Sequence, residues 1–314
     1  MPTAPEDITD DERLRVRAPA PDWFRWAIAK PLQSRRVAVE GCPIHYLFWE
    51  ADEPAARQPG ILFVHGGGAH ANWWRFIAPF FTRDCRVAAM DLSGMGDSGT
   101  REAYDAGLRA LELRGVLADA GLGRKPFVVG HSFGGYMTMR FGASYGEEIG
   151  GAVIVDSPIR TPEAAAEHRR RLPPMDRKNH YPTFEEALAR FRLRPAQACE
   201  NDFIVEHIAR HSLVEATEGW TWKFHPQAMG RRRFGEPFHE HLQALKCRAA
   251  LVFGEKSALV SRERAAYMSE LMGPAAPIVE IPEARHHVML DQPLAFVAAL
   301  RALLDGWRRT DAQS

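Results

Sequence analysis

The sequence predicts an α/β fold in which a mostly parallel sheet carries helices on both faces. Short apolar runs of strand length alternate with segments of helical spacing, which is the pattern of repeated βαβ units. Between about residues 158 and 246 the strand-like runs disappear, while charge, proline, aromatic residues and helix formers increase. The alternation then resumes as far as residue 307. We therefore expect one sheet-forming domain with a helical insertion over the carboxyl edge of its strands.

The composition is that of an ordinary globular protein and argues against several kinds of partner. The 314 residues are 46% hydrophobic and 25% charged, which is enough to bury a substantial core. Lys plus Arg and Asp plus Glu number 40 each, so the net charge is zero. We therefore predict no nucleic acid and no membrane as partners, since no apolar run approaches the about 20 residues that span a bilayer.

The cysteines and the first residues of the chain predict a cytoplasmic protein. The four cysteines are scattered and form no Cys-x-x-Cys pair, so we expect reduced thiols rather than a disulfide framework or a zinc site. Residues 1–11 are acidic and rich in proline, unlike a secretory signal peptide.

The chain opens with a predicted N-terminal extension of residues 1–35. Its first 20 residues are polar, and residues 22–30 then predict a short helix capped by Asp22. The three aromatic residues of this helix must be shielded from water by other residues. Packing on the protein's own core is the simplest interpretation, and a lid or a homodimer contact are the alternatives.

Eight apolar runs predict strands, and the first two form a hairpin around Gly41. The predicted strands are 36–40, 44–50, 61–64, 86–90, 127–129, 152–155, 249–253 and 277–281. The helices predicted between them are 72–81, 106–120, 136–141, 262–272 and 293–307.

The stretch 127–136 organises the rest of the chain. It passes from an apolar run through Gly130-His131-Ser132-Phe133-Gly134 into a helical segment. A serine on such a strained turn is held clear of the sheet at a helix N-terminus, and the two glycines leave room where side chains would clash. This Gly-x-Ser-x-Gly stretch resembles the nucleophile elbow of the α/β-hydrolase fold.

The resemblance covers residues 36–160 and 246–307. It implies an eight-stranded α/β-hydrolase sheet formed by residues 36–160 and 246–314, with a helical cap of residues 161–245 inserted. Because the cap of such an enzyme sets its substrate, the fold alone does not identify the substrate.

The resemblance also implies a catalytic triad with Ser132 as the nucleophile. A serine hydroxyl attacks a carbonyl only when a base takes its proton and a third group orients that base. In the family the histidine follows the last strand, where residues 282–293 contain two histidines. Alignment with the family loop puts Arg285 on the usual glycine and His286 on the base, and it leaves His287 as the alternative.

The acid departs from the common family pattern. The usual aspartate follows the seventh strand, where this chain has Ser257. Asp156 ends the strand next to the elbow strand, a place that the family also uses, so we expect Asp156 to orient His286 and stabilise its imidazolium. Glu255 is the alternative acid, and capping of the following turn is the alternative role for Asp156.

Acyl transfer also needs two N–H groups that face the developing oxyanion. The family takes one from the residue after the nucleophile, here Phe133. The other comes from the glycine run that follows the strand 61–64, where Gly67 is the expected donor and Gly68 the fallback.

Three further residues are candidates for substrate binding. Trp220 and Trp222 of the cap would line an apolar pocket, and His131 within the elbow would shape it. Core packing explains the same three residues equally well.

The predicted function is a serine hydrolase that cleaves an ester-type bond of a small, apolar substrate through an acyl-enzyme. No cofactor and no metal are implied, because the sequence contains neither a metal-spaced cluster nor a dinucleotide fingerprint. Ser132 in place of an aspartate argues against the epoxide-hydrolase and haloalkane-dehalogenase branches. Three alternatives remain on this fold: a C–C bond hydrolase of keto acids, a cofactor-free dioxygenase-like enzyme and a ligand-binding receptor.

Overall fold

The computed structural model describes residues 13–14, 16–53, 58–164, 178–229 and 236–313. The first twelve residues of the predicted extension and two parts of the predicted cap, 165–177 and 230–235, lie outside these ranges. Within the described ranges, no helix combines the length and the apolar character needed to cross a membrane.

Eight strands form one mostly parallel sheet, as predicted, and two more form a separate hairpin. The strands are β1 (Gln33–Val39), β2 (Cys42–Trp49), β3 (Ile61–Val64), β4 (Val87–Met90), β5 (Phe127–His131), β6 (Gly151–Val155), β7 (Leu213–Ala216), β8 (Gly219–Trp222), β9 (Ala249–Gly254) and β10 (Ile278–Ile281). The spatial order of the large sheet is β1-β2-β4-β3-β5-β6-β9-β10. Strand β2 is antiparallel to both of its neighbours, and the remaining neighbours are parallel.

Both faces of this sheet are buried, which explains why its central strands are continuous apolar runs in the sequence. In β3, Ile61 and Phe63 belong to one hydrophobic cluster, and Leu62 and Val64 belong to the cluster on the opposite face. The helices are α1 (Asp22–Ile28), α2 (Ala106–Asp119), α3 (Phe133–Tyr145), α4 (Phe184–Ala189), α5 (Asp202–His211), α6 (Phe238–Gln243), α7 (Arg262–Met272), α8 (Val288–Asp291) and α9 (Pro293–Gln313). Helices α2, α3 and α7 cover one face, and α1, α8 and α9 cover the other.

The segment predicted as a helix over 72–81 consists of two short 3₁₀ helices instead. These are Ala71–Trp74 and Ala78–Phe81. Pro79 explains the break, because proline has no N–H for an α-helical hydrogen bond and its ring clashes with the carbonyl four residues earlier.

The inserted block is less purely helical than predicted. Besides α4, α5 and α6 it contains the antiparallel hairpin β7–β8, in which Ala216 pairs with Gly219 across a two-residue turn. Strands of four residues place only two side chains on each face, which is too few for an alternating pattern to be recognised in the sequence.

The hairpin end of the cap is joined to the loop that follows β4. The Gly96 N–H donates to the Lys223 carbonyl at 2.8 Å, and the His225 N–H donates to the Gly94 carbonyl at 2.7 Å. The ammonium group of Lys223 also pairs with the Asp97 carboxylate at 2.6 Å. These contacts cross from the cap to the sheet domain and hold the cap over the strand ends.

Residues 13–14 and 16–28 form an N-terminal strap that ties the cap helix α5 to the sheet domain. Glu206 of α5 accepts backbone N–H bonds from Arg17 at 2.8 Å and Ala18 at 2.9 Å. The ring of Phe24 in α1 lies 4.9 Å from that of Phe203 in α5 and 5.9 Å from that of Phe76 in the sheet domain. Phe24 therefore packs on the protein's own core and on its cap together, whereas Trp26 of the same helix stays 47% exposed.

The sequence predicts that Asp22 caps α1, but the structure contradicts this prediction. The helix begins at Asp22 itself, so the cap position falls on Pro21, which has no side-chain hydrogen bond to offer. Asp22 instead pairs with Arg25 at 2.6 Å, one turn further along the helix.

We predict that Phe24→Ala destabilises the contact between strap and cap. The buried ring fills the space between α5 and the sheet domain, and loss of such a ring costs about 3–5 kcal/mol. The measurement is thermal unfolding together with hydrogen exchange of the α5 amides. Trp26→Ala is the control on the same helix, because the Trp26 side chain is 47% exposed. Equal effects of the two changes on α5 exchange would contradict the strap interpretation.

Candidate active site

Ser132 lies at a strained turn between β5 and α3. Its φ of 52° and ψ of −116° are unusual for a residue with a side chain. Glycine is required on either side: a Cβ at Gly130 would lie 2.3 Å from the Thr138 hydroxyl, and one at Gly134 would lie 2.4 Å from the Val64 carbonyl oxygen. The two glycines therefore permit the close approach of β5, α3 and the end of β3 that exposes Ser132.

The structure brings Ser132, His286 and Asp156 into one hydrogen-bonded series. His286 Nε2 lies 3.0 Å from Ser132 Oγ, and His286 Nδ1 lies 2.8 Å from Asp156 Oδ1. Because an ionised carboxylate only accepts, Nδ1 carries the proton and Nε2 accepts from the serine hydroxyl. Asp156 and His286 are buried, whereas Ser132 is partly exposed. This arrangement allows His286 to take the serine proton while Asp156 stabilises the charge that results.

Ser257 supports the acid, a contact that the sequence did not reveal. Its hydroxyl oxygen accepts the N–H groups of Leu259 and Val260, both at 3.1 Å, so its own proton is directed to Asp156 Oδ1 at 2.7 Å. The other oxygen, Asp156 Oδ2, accepts the Gly254 N–H at 3.0 Å. The serine that replaces the usual aspartate thus donates a hydrogen bond to the aspartate on the neighbouring strand.

The alternative acid, Glu255, faces elsewhere. Its side chain is exposed and accepts the Glu283 N–H at 2.9 Å. Arg285, which replaces the family glycine before the histidine, keeps the loop in place through its backbone N–H, which donates to the Asp291 carboxylate at 2.6 Å. Burial raises the pKa of Asp291, although this bond and the Arg285 charge lower it in part.

His131 and His287 are buried against His286. His131 Nε2 donates to the backbone carbonyl of His286 at 3.0 Å, so His131 positions the histidine loop. Neither ring nitrogen of His287 makes a hydrogen bond of normal geometry, although the Pro195 carbonyl approaches it. Burial, followed by the neighbouring histidine charges, holds the pKa of both His131 and His287 well below the usual value, which favours neutral imidazoles.

The glycine run after β3 lies directly over the nucleophile. A Cβ at Gly66 would be 3.2 Å from His131 Nδ1 and 3.4 Å from Ser132 Cβ. The N–H of Gly68, the fallback donor, is directed to the Met95 sulfur at 3.4 Å. Gly67 therefore remains the expected oxyanion donor of this run. The other expected donor, Phe133, begins α3, where N–H groups favour negative charge.

Asp91 anchors the loop that carries these glycines. Its carboxylate accepts the Ala71 N–H at 2.6 Å and bonds His45 Nδ1 at 2.6 Å. Burial alone would raise the pKa of Asp91, but His45 and the Asp97 N–H outweigh it and hold that pKa far below the usual value. Ser98 takes part as well, since its hydroxyl donates to the Asp91 carbonyl at 2.7 Å.

The cap contacts the histidine loop, which the sequence did not reveal either. Gln197 accepts the His287 N–H at 3.0 Å and donates to the Asp291 carboxylate at 3.0 Å. Asn201 donates to the Leu290 carbonyl at 2.7 Å. Residues 197–201 therefore brace the loop that holds His286.

The two cap tryptophans pack within the cap. Trp220 is 8% exposed and clusters with Phe184, its ring 5.0 Å away, and with Leu213. Trp222 contacts the ring of Tyr181 at 6.0 Å. These contacts fit the core interpretation of both residues, and a role in substrate binding stays a prediction.

Comparison with known proteins identifies the family. A model described as the alpha/beta hydrolase family matches residues 61–300. The chain belongs to this family. A relative from Mycobacterium tuberculosis, esterase Rv0045c, is 29% identical over 259 residues, which are 79% of this chain and 83% of the relative.

A solved structure and a second relative cover different shares of this chain. The solved structure of E-2-(acetamidomethylene)succinate hydrolase has a TM-score of 0.75 at 21% identity and covers 88% of this chain and 100% of its own, which shows a shared fold. A 2-hydroxy-6-oxononadienedioate/2-hydroxy-6-oxononatrienedioate hydrolase from Burkholderia vietnamiensis is 30% identical, but over 118 residues that are 36% of this chain and 39% of the relative.

We predict that His286→Ala and His287→Ala differ sharply in activity. His286 bridges Ser132 and Asp156, so its loss is expected to lower kcat by about 10⁴-fold or more. His287 lies outside this series, and its loss is expected to change kcat by about tenfold or less. Steady-state ester turnover at equal protein concentration is the measurement, with circular dichroism to check folding. A larger loss for His287→Ala would mean that the base has been misassigned.

A second prediction concerns the acid and its neighbour. Asp156→Asn keeps the shape of the side chain but removes its charge, so kcat is expected to fall by about 10⁴-fold. Addition of Ser257→Asp is expected to restore part of that loss, because the new carboxylate occupies the place from which the family usually orients its histidine. Glu255→Gln is the control and is expected to stay near wild type. Asp156→Asn with normal kcat would exclude Asp156 as the acid.

Proposed function

We propose that this protein is a serine esterase that cleaves the ester bond of a small, apolar substrate through an acyl-enzyme. The observation that carries the proposal is the hydrogen-bonded series of Ser132, His286 and Asp156, in which Ser132 and Asp156 follow the neighbouring strands β5 and β6 and His286 comes from the loop after β10. Membership of the alpha/beta hydrolase family supports a hydrolase. The esterase relative supports ester chemistry in particular, since it aligns with 79% of the chain, whereas the dioate hydrolase relative aligns with 36%.

In the proposed acylation step, Ser132 Oγ attacks the ester carbonyl carbon while His286 Nε2 takes the hydroxyl proton. Asp156 stabilises the imidazolium, and the backbone N–H groups of Gly67 and Phe133 stabilise the oxyanion. The tetrahedral intermediate then expels the alcohol, which receives the proton from His286.

The proposed deacylation step repeats this sequence with water. His286 Nε2 removes a proton from water as the water oxygen attacks the acyl carbon. Collapse of the second intermediate breaks the bond to Ser132 Oγ, and the proton returns to the serine. The product acid leaves, and the series of hydrogen bonds is restored.

We predict that Ser132→Ala abolishes both ester turnover and covalent labelling. Loss of a triad nucleophile costs about 10⁴-fold or more in kcat. A panel of nitrophenyl esters measures turnover, and mass spectrometry of protein treated with a fluorophosphonate locates the label. Ser269→Ala, on the outer helix α7, is the control and should keep both signals.

The same experiment separates the proposal from a ligand-binding receptor. A label on Ser132 with rapid ester turnover supports the esterase. Turnover of Ser132→Ala within tenfold of wild type would overturn the nucleophile assignment. A wild-type protein that neither reacts with the fluorophosphonate nor turns over any ester would favour a ligand-binding receptor.

A further inference from the structure

Three buried histidines lie together at the candidate active site, and each has a ring nitrogen close to one of each of the other two. In His131, His286 and His287 these nitrogens lie within 4.8 Å of one another. The ring centres are 4.8 Å apart for His131 and His286, 4.8 Å for His286 and His287, and 5.5 Å for His131 and His287. Three imidazoles on one tetrahedral zinc ion, with Zn–N distances of about 2.0–2.1 Å, place their ring centres about 5 Å apart. The ring centres thus have nearly the spacing found around one zinc ion, and the ligand nitrogens, which such an ion would hold about 3.3 Å apart, lie within 4.8 Å of one another.

Two of the rings also have the hydrogen bonds that metal-binding histidines usually make. Such a histidine donates its second ring N–H to a carboxylate or a backbone carbonyl, which fixes the tautomer and orients the lone pair. His286 donates Nδ1–H to Asp156, and His131 donates Nε2–H to the His286 carbonyl. The lone pairs that remain are those of His286 Nε2 and His131 Nδ1. His131 Nδ1 lies next to the Gly66 backbone, which is also close to Ser132.

His287 supplies the third ring. It is 2% exposed, and neither of its nitrogens makes a hydrogen bond of normal geometry. A polar group buried in this way costs free energy unless something satisfies it. A metal ion in the shared space would satisfy one nitrogen of His287. Ser132, whose hydroxyl oxygen lies 3.0 Å from His286 Nε2, is partly exposed, so solvent reaches the side of the cluster at which this hydroxyl lies.

We propose that His131, His286 and His287 form a binding site for a divalent transition-metal ion, with Zn²⁺ as the preferred ion, which blocks the nucleophile when it is occupied. Imidazole nitrogens suit zinc, whereas Mg²⁺ and Ca²⁺ prefer oxygen ligands. The lone pair of His286 Nε2 that accepts the Ser132 proton is the one that binds the ion. Metal binding and activation of Ser132 therefore exclude each other, and zinc acts as a reversible inhibitor.

The inhibitory consequence rests on the proposed esterase function, but the binding does not. The experiment therefore measures both on metal-stripped, full-length protein. Zinc affinity comes from competition with a chromophoric chelator, and inhibition comes from ester turnover at rising Zn²⁺ concentrations. Mg²⁺ at the same concentrations is the ion control.

The variants separate the cluster from other surface histidines. His287→Ala is expected to change kcat by about tenfold or less, so its residual turnover can report inhibition. It is also expected to raise both the zinc dissociation constant and the half-inhibitory concentration by at least about tenfold, since one of three ligands is lost. His239→Ala, on α6 outside the cluster, is expected to match wild type in both. Ser132→Ala is expected to bind zinc with wild-type affinity although it turns over no ester. A chelator is expected to restore turnover of zinc-inhibited wild type.

Two outcomes would overturn the proposal. One is the absence of stoichiometric zinc binding to wild type and to Ser132→Ala. The other is a His287→Ala protein that binds zinc and is inhibited as strongly as wild type. If wild type turns over no ester at all, the esterase proposal fails. The metal site is then still tested by the zinc affinity of Ser132→Ala compared with that of the double variant Ser132→Ala with His287→Ala.

Discussion

The imidazole of His286 is hydrogen-bonded at both nitrogens, and the rest of the structure has to provide those two partners. Asp156 follows β6 and Ser132 follows β5, so the two strands must be parallel neighbours whose carboxyl ends meet. The loop after β10 must then reach back past β9 to place the ring between them. The order of the sheet is therefore a condition for the chemistry, because no local segment contains more than one of the three side chains.

Ser132 and Asp156 both adopt positive φ, at 52° and 45°, which costs about 1–3 kcal/mol for each non-glycine residue. The sheet offsets this strain. The Ser132 N–H donates to the Val155 carbonyl at 2.9 Å, and the Asp156 N–H donates to the Val252 carbonyl at 2.8 Å. Each residue thus adds one backbone hydrogen bond to the sheet. These bonds hold the two residues in place although their backbone conformations are strained.

Hydrogen bonds connect the cap to the loops around the candidate active site. Gln197 and Asn201 bond the loop that carries His286, Lys223 bonds the loop after β4, and Glu206 bonds the N-terminal strap. A displacement of the cap would therefore act on the histidine as well as on access to the site.

Features with a local physical cause could be predicted from the sequence alone. The apolar runs of β3, β5 and β6 follow from burial on both faces, and the elbow around Ser132 follows from glycines that must stand beside a strained turn. The family and the fold were confirmed on these grounds. His286 and Asp156 could be predicted as base and acid because their places after strand ends are tied to the order of the strands, and the structure brings both within hydrogen-bonding distance of each other.

Only the tertiary structure decided the contacts between segments far apart in the chain. The hydroxyl of Ser257 meets Asp156 across 101 positions, and the ring of His131 meets the carbonyl of His286 across 155. Neither contact has a spacing that a single sequence could reveal, since each depends on the register of separate strands and on how the loops after them fold back. The cap hairpin was missed for a related reason: its strands are too short to carry a pattern, and packing on Phe184 and the loop after β4 stabilises them.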